Sequence, residues 1–386
     1  MKVITNTNVI LLNGILFDGI VAFENGKIVK VCKKEDFEIP LNAEIIDAEG
    51  YYTAPGLIDI HNHGSENNLF ADNPKECVEH FIKHGQTSVY PTFYQTLTAE
   101  EMIDGAKKLK EFSKSGIGKI IKGIYMEGPY MQAAGSFQDF FKWSGDIEFC
   151  KYKELVDSLK GYAKIWAIDP ARKNIKDFMN YVKSVDEDAI FALGHSGATA
   201  EQCEDVYDLG VKLQTHLGDA GVAPKINQVK TAAGVDEFTL CTPDMYAEII
   251  CDERGVHLSP YTIRSYIKAK GVEKVILITD SVAKTGDFKN NEQDGVKYSP
   301  DLNYDNNGHL AGSHLTLDKA CKNAISYTGY GLSHVIRFAT YNPAKLLGID
   351  HLYGSIQEGK IADLILIDGA VNVKKVFLQG DLVVEN

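Results

Sequence analysis

The chain predicts a (β/α)8 barrel with a small β-sandwich domain formed by its two ends, on three observations. Residues 54–349 alternate apolar strand-like runs with amphipathic helical ones, whereas residues 1–53 and 350–386 hold only short strands and turns. The number and length of the strand–helix units suit a barrel of about 250 residues plus insertions. The rival, an open doubly wound sheet, is weakened because no Gly-x-Gly-x-x-Gly follows the first strand of the middle region.

Each element has a local reason. Near the amino end, Val9–Leu12, Gly19–Phe23 and Lys27–Val31 are strand-like, and Asn25-Gly26 supplies hairpin chemistry between the last two. Pro55-Gly56 then starts the apolar strand that ends at His61-Asn62-His63, and Gly64 releases the chain into a polar loop. Further strands are expected at Ile120–Tyr125, Ala189–Leu193, Val211–Gln214, Ala247–Cys251 and Val275–Ile278. Helices are expected at Thr98–Ser113, Thr199–Leu209 and Pro260–Ala269, where Ser259 is an N-cap and Pro260 sits at N1. Asp287–Asn307, rich in Asn, Asp and Lys, is expected to be a mobile loop or lid. The carboxyl end returns to strands at Asp363–Gly369 and Val371–Gly380.

Composition bounds the function. With 386 residues, 44% hydrophobic and 24% charged, the chain can bury a large core as a globular enzyme does. No apolar run approaches the about 20 residues of a membrane span. The polar start Met1-Lys2-Val3-Ile4-Thr5-Asn6 does not resemble a secretion signal, so a cytoplasmic location is expected. Seven scattered cysteines with no Cys-x-x-Cys read as reduced thiols rather than a disulfide framework. A net charge of −13 argues against a nucleic-acid partner, although a local cation could still hold a small anionic substrate.

The chemistry is carried by position. Asp59, His61 and His63 share one face of a strand, with the histidine Cα atoms about 7 Å apart, a spacing that lets two imidazoles hold one ion. Glu127, His195, His216 and Asp280 likewise fall at the carboxyl ends of other strands, all of which open onto one face of a barrel. Each alone fits an ordinary turn, cap or core role; together on one face they point to a metal centre. Imidazoles with two carboxylates suit Zn²⁺ or a similar divalent ion, with Fe or Mn as alternatives. Such a site hydrolyses amides, cyclic amides or amino-heterocycles, with a free carboxylate as base. Oxygen activation is disfavoured by the histidine-rich set.

The order of β-rich start, Pro55-Gly56-Leu57-Ile58-Asp59-Ile60-His61-Asn62-His63-Gly64 and β-rich end resembles the amidohydrolase superfamily. Within it, several segments are similar to N-acetylglucosamine-6-phosphate deacetylases: Met126-Glu127-Gly128-Pro129-Tyr130, Gly194-His195-Ser196-Gly197-Ala198-Thr199, Thr215-His216-Leu217 and Ile278-Thr279-Asp280. Leu310-Ala311-Gly312-Ser313 and the stretch from Asn342-Pro343-Ala344 to Asp363-Leu364 extend the likeness over essentially the whole chain. The resemblance implies that Glu127, His195 and His216 hold one metal, and that His61 and His63 add a second sharing Glu127. It further implies that Asp280 is the general base beside the metals, that His257 contacts substrate and polarises the scissile carbonyl, and that the enzyme is a homodimer.

The departures concern substrate. The family's Asn-Ala-Met segment is replaced by Gly218-Asp219-Ala220-Gly221, which makes Asp219 and Ala220 the substrate-binding positions there. The family's phosphate-binding arginine is missing from Lys230-Thr231-Ala232-Ala233-Gly234, and Lys225, Lys230 or Arg254 are the cations left to replace it. A Lys-Lys-Gly-Ala-His segment expected after Glu-Gly-Pro is replaced by Ala133-Ala134-Gly135-Ser136-Phe137, and His257 lies farther from Asp252 than the family pattern places it. The expected function is deacetylation of an N-acetyl amino sugar, N-acetylglucosamine 6-phosphate first. The alternatives are another N-acyl substrate, an unphosphorylated sugar or an N-acyl amino acid, and a scaffold with a decayed site.

Overall fold

The structure is a computed structural model that describes residues 1–132, 140–219, 221, 225–226, 230–284, 299–305 and 309–386, with backbone alone at 225, 226, 230 and 231. Eight parallel strands form one sheet: β1 (Leu57–Asn62), β2 (Gln86–Tyr94), β3 (Ile124–Glu127), β4 (Ala163–Ile168), β5 (Ile190–Leu193), β6 (Val211–Gln214), β7 (Tyr246–Ile250) and β8 (Val275–Ile278). They neighbour one another in chain order, and β8 returns to β1 at the carboxyl end. There the Asp280 N–H donates to the His61 carbonyl at 3.0 Å, and the His63 N–H donates to the Ser281 carbonyl at 2.8 Å. The sheet is a (β/α)8 barrel, as the strand–helix alternation predicts.

A helix follows every barrel strand: α1 (Pro74–Lys83), α2 (Ala99–Phe112), α3 (Phe149–Ser158), α4 (Ile175–Val185), α5 (Ala200–Tyr207), α6 (Val235–Cys241), α7 (Pro260–Lys270) and α8 (Leu317–Thr328). The caps explain where they begin. The Thr98 hydroxyl accepts the Glu101 N–H at 3.3 Å while the Glu101 carboxylate accepts the Thr98 N–H at 2.7 Å, and Thr199 with Gln202 repeats the arrangement. Ser259 caps α7 ahead of Pro260. The helices bury one stripe against the sheet: on α4, Phe178, Met179 and Val182 are buried, and Phe178 meets Trp166 of β4 edge-to-face at 5.6 Å. Burying each such side chain contributes about 1.5–3 kcal/mol.

Both chain ends form a second sheet in the spatial order Asp381–Glu385, Val373–Leu378, Leu364–Ile367, Tyr52–Pro55, Lys2–Leu11, Gly14–Glu24 and Lys27–Lys33, with Glu44–Asp47 also paired to Lys2–Leu11. Asn25 and Gly26 take φ of 51° and 75°, the left-handed pair that closes the hairpin. Ile4, Val9, Val21, Phe23, Leu364, Leu366 and Phe377 share one buried cluster, so the first and last segments make a common core. The strand Tyr52–Pro55 runs past the expected boundary at residue 53 because Pro55 still pairs with Leu364.

Three expectations change. The strand read at Ile120–Tyr125 begins at Ile124, since Gly116–Ile120 forms a 3-10 turn. Strands β2 and β4 join the six foreseen. Of the loop read at Asp287–Asn307, residues 299–305 are described and contain a strand, Leu302–Tyr304, antiparallel to Leu310–Ser313; the rest lies outside the described residues. Among the described residues no helix is long and apolar enough to cross a membrane.

Candidate metal centre

The mouth of the barrel collects His61, His63, Glu127, His195, His216 and Asp280 from the ends of β1, β3, β5, β6 and β8. The carboxylate of Glu127 divides the set. Its Oε1 lies 3.1 Å from Nε2 of His195 and 3.2 Å from Nε2 of His216. Its Oε2 lies 3.0 Å from Nε2 of His63 and 3.5 Å from Nε2 of His61. Two groups of three ligand atoms result, His61–His63–Glu127 and Glu127–His195–His216, each compact enough for one ion. Asp280 faces the first group, with Oδ1 3.3 Å from Nε2 of His63 and 3.5 Å from Nε2 of His61.

Backbone geometry aims these side chains. His195, His216 and Asp280 leave their strands at φ of 37°, 26° and 46°, in the left-handed region that costs a non-glycine residue about 1–3 kcal/mol. Gly194 is required beside them, because a Cβ there would lie 2.5 Å from the Thr215 hydroxyl. That hydroxyl is hydrogen bonded at 2.7 Å to Tyr125, whose ring stacks on His61 at 4.7 Å. At Gly312, φ is +64° and a Cβ would lie 2.8 Å from the Asp280 carbonyl, so the strand Leu310–Ser313 packs directly against the Asp280 main chain.

The electrostatics favour a cation. Burial pushes the His61 imidazolium towards losing its proton, but the Glu248 and Glu127 carboxylates outweigh it and hold the group well above its ordinary value. His216 behaves alike: burial lowers it, Glu127 and Asp280 raise it, and the result is about 9. Burial would raise Glu127, yet His61, His195 and His216 keep its carboxyl well below the ordinary range. The field that draws protons onto these imidazoles also draws a divalent ion into their place. The donor set fits such an ion, because Nε2 of His61 is buried with no hydrogen-bond partner among the described residues.

Beneath the mouth lie partners to which the sequence assigns no role. Asp59 accepts from Thr279 at 2.7 Å and from Asn62 and Gln86 at 2.9 Å each; burial nevertheless pushes its carboxyl up to about 6. Glu248, within β7, lies 3.0 Å from Nδ1 of His61. Its signal was available: a lone glutamate inside the apolar run Tyr246-Ala247-Glu248-Ile249-Ile250 needs a buried partner. What the sequence does not carry is which partner, since His61 lies 187 residues away.

The proposed substrate positions are placed unequally. His257 is buried with Nδ1 3.2 Å from Asp252, whose carboxylate also accepts the N–H groups of Arg254, Val256 and His257. Burial lowers the His257 imidazolium, while Asp252, Asp219 and Asp280 raise it and win; its Nε2 has no hydrogen-bond partner among the described residues. Asp219 is exposed just past His216, and Arg254 is exposed on the Asp252 loop. Lys225 and Lys230 lie in a short ribbon whose side chains are outside the described residues, as are Ala220 and the segment Ala133–Phe137.

A closed (β/α)8 barrel with histidines and carboxylates converging at its carboxyl mouth defines a metal-dependent hydrolase. The chain belongs to the amidohydrolase family, whose model matches residues 52–383. It is similar to the N-acetylgalactosamine-6-phosphate deacetylase of Shewanella sp. (strain ANA-3), 32% identical over 337 residues, covering 85% of this chain and 82% of that one. It is also similar to the N-acetylglucosamine-6-phosphate deacetylase of Haemophilus influenzae, 27% identical over 356 residues and 88% of each chain. The crystal structure of N-acetylglucosamine-6-phosphate deacetylase from Pasteurella multocida superposes with a TM-score of 0.86 at 27% identity, covering 100% of both chains.

Proposed function

We propose that the protein removes the acetyl group from an N-acetylhexosamine 6-phosphate, N-acetylglucosamine 6-phosphate first and its galactose epimer second, releasing acetate and the amino sugar phosphate. The observation that carries this is the Glu127 carboxylate, divided between two histidine pairs with Asp280 alongside. The named activities of the Haemophilus and Shewanella relatives support the substrate class.

His61, His63 and Glu127 would hold one ion, and Glu127, His195 and His216 the other; zinc suits the donors best. When bound, such an ion lowers the pKa of water towards neutrality and polarises a carbonyl oxygen. Asp280 takes the proton from the attacking water as its oxygen bonds to the acetyl carbon. It then returns that proton to the sugar nitrogen as the C–N bond breaks. Burial would raise Asp280, but His63 and His61 hold it below the ordinary value, which keeps it a carboxylate ready to accept. His257 donates from Nε2 to the acetyl oxygen, oriented by Asp252 on its other nitrogen.

A cytoplasmic location, where sugar phosphates are retained, and the homodimer expected from the resemblance belong to the same proposal. The test is acetate release from N-acetylglucosamine 6-phosphate, N-acetylgalactosamine 6-phosphate and both free sugars, by zinc-loaded protein. Release from a phosphorylated sugar is expected. Equal rates with and without the phosphate would shift the reading to an unphosphorylated substrate, which the missing arginine favours, and no acetate from any of the four would reject the class.

A further inference from the structure

Glu248 has no part in the chemistry above, yet one of its oxygens serves both halves of the cluster. It is fully buried in the middle of β7. Its Oε2 lies 3.0 Å from Nδ1 of His61 and accepts the backbone N–H of His216 at 3.1 Å. The Glu248 carbonyl also accepts the N–H of Leu217, at 2.9 Å, so the strand and its side chain together grip the segment after β6.

These contacts fix a chemical state. A carboxylate can only accept, so when His61 gives up one proton to act as a metal ligand it keeps the hydrogen on Nδ1 and offers the Nε2 lone pair. That nitrogen faces Glu127 and Asp280, 3.5 Å from an oxygen of each. Tyr125, stacked on the ring, limits its rotation. The second bond acts on backbone: His216 is held at φ 26°, a conformation that persists only where surrounding contacts enforce it. By contrast, Nδ1 of His195 and Nδ1 of His216 have no hydrogen-bond partner among the described residues. A single oxygen therefore reaches a ligand on each side of Glu127.

We infer that Glu248 is a positioning residue, fixing the tautomer that His61 presents to its ion and bracing the His216 main chain with the same oxygen. Because this rests on the metal-site reading above, the experiment separates the two. Metal-free protein is titrated with Zn²⁺ by calorimetry, for the parent, Glu248→Met and Glu248→Gln. Glu248→Met, close in volume but without an acceptor, weakens binding at the His61–His63 side by about 10–100-fold. Glu248→Gln keeps an oxygen at the accepting position and recovers most of that loss.

A purely structural role would lower thermal stability in both variants and leave the affinities alone. A Glu248→Met protein that binds both ions as tightly as the parent overturns the proposal. A parent that binds no metal fails the site reading itself, and the proposal with it. Should Glu248→Met not fold, nuclear magnetic resonance of zinc-loaded protein decides. The His61 Nδ1 proton resonates downfield in the parent and moves upfield in Glu248→Gln, because a neutral acceptor has replaced a charged one. An identical resonance in both proteins overturns the proposal.

Discussion

The two sides of Glu127 are built by different means. His61 lies near the end of a strand and His63 just past it, and both are held by partners: Glu248 on Nδ1 of His61, Tyr125 against its ring, and Asp280 beside both. His195 and His216 are held by their backbone instead, each in a left-handed conformation at the end of a strand, with Nδ1 unpartnered among the described residues. For His195, the carbonyl accepts the Gln132 N–H at 2.7 Å and the neighbouring Ser196 hydroxyl donates to Asp169 at 2.6 Å. Hydrogen bonding can thus set ligand basicity on one side, while strained turns set ligand direction on the other.

The largest effect is expected where the first side meets the chemistry. Asp280→Asn should lower kcat by about 10²–10⁴-fold with little change in KM, as expected for loss of a general acid–base group. A loss below tenfold would remove Asp280 from that role. Next, His63→Ala and His195→Ala each remove a ligand from one side alone. Metal analysis should find roughly half the parent's metal in either variant; an empty His63→Ala protein would mean that the sides do not bind separately.

A smaller effect concerns protons. Metal must displace the proton that His216 retains up to about 9, where Glu127 and Asp280 outweigh burial. Zinc affinity should therefore keep rising with pH beyond the ordinary histidine range, with proton release seen by calorimetry in buffers of different ionisation enthalpy. An affinity flat above pH 7 would contradict it. The smallest effect is that of Tyr125→Phe, which keeps the stacking on His61 but loses the 2.7 Å bond to Thr215; about 1 kcal/mol of stability should be lost in denaturant unfolding.

The candidate ligands were legible because a parallel barrel converts position into function: a His, Glu or Asp after an apolar run becomes a group at the mouth. The same logic passed over β2, where Pro91 interrupts Gln86–Tyr94 and argues against a strand. It also gives the supports no role, although Asp59 shares the face of His61 and His63. Asp59 and Glu248 sit within strands rather than at their ends, and their meaning lies in contacts with Thr279 and His61, which are distant in sequence. The end sheet was readable from hairpin chemistry and alternation, but its register was not, because residues 52–55 pair with residues 364–367 across most of the chain.

In the proposed reaction, Glu127 and the histidines on its two sides hold the ions that deacetylation requires. The most direct test is to follow acetate release from N-acetylglucosamine 6-phosphate while metal-free protein is titrated with zinc. Release should be absent at the start, rise with bound metal and saturate when both sides of Glu127 are filled. Full activity in metal-free protein, or none after both sides are loaded, would contradict the account.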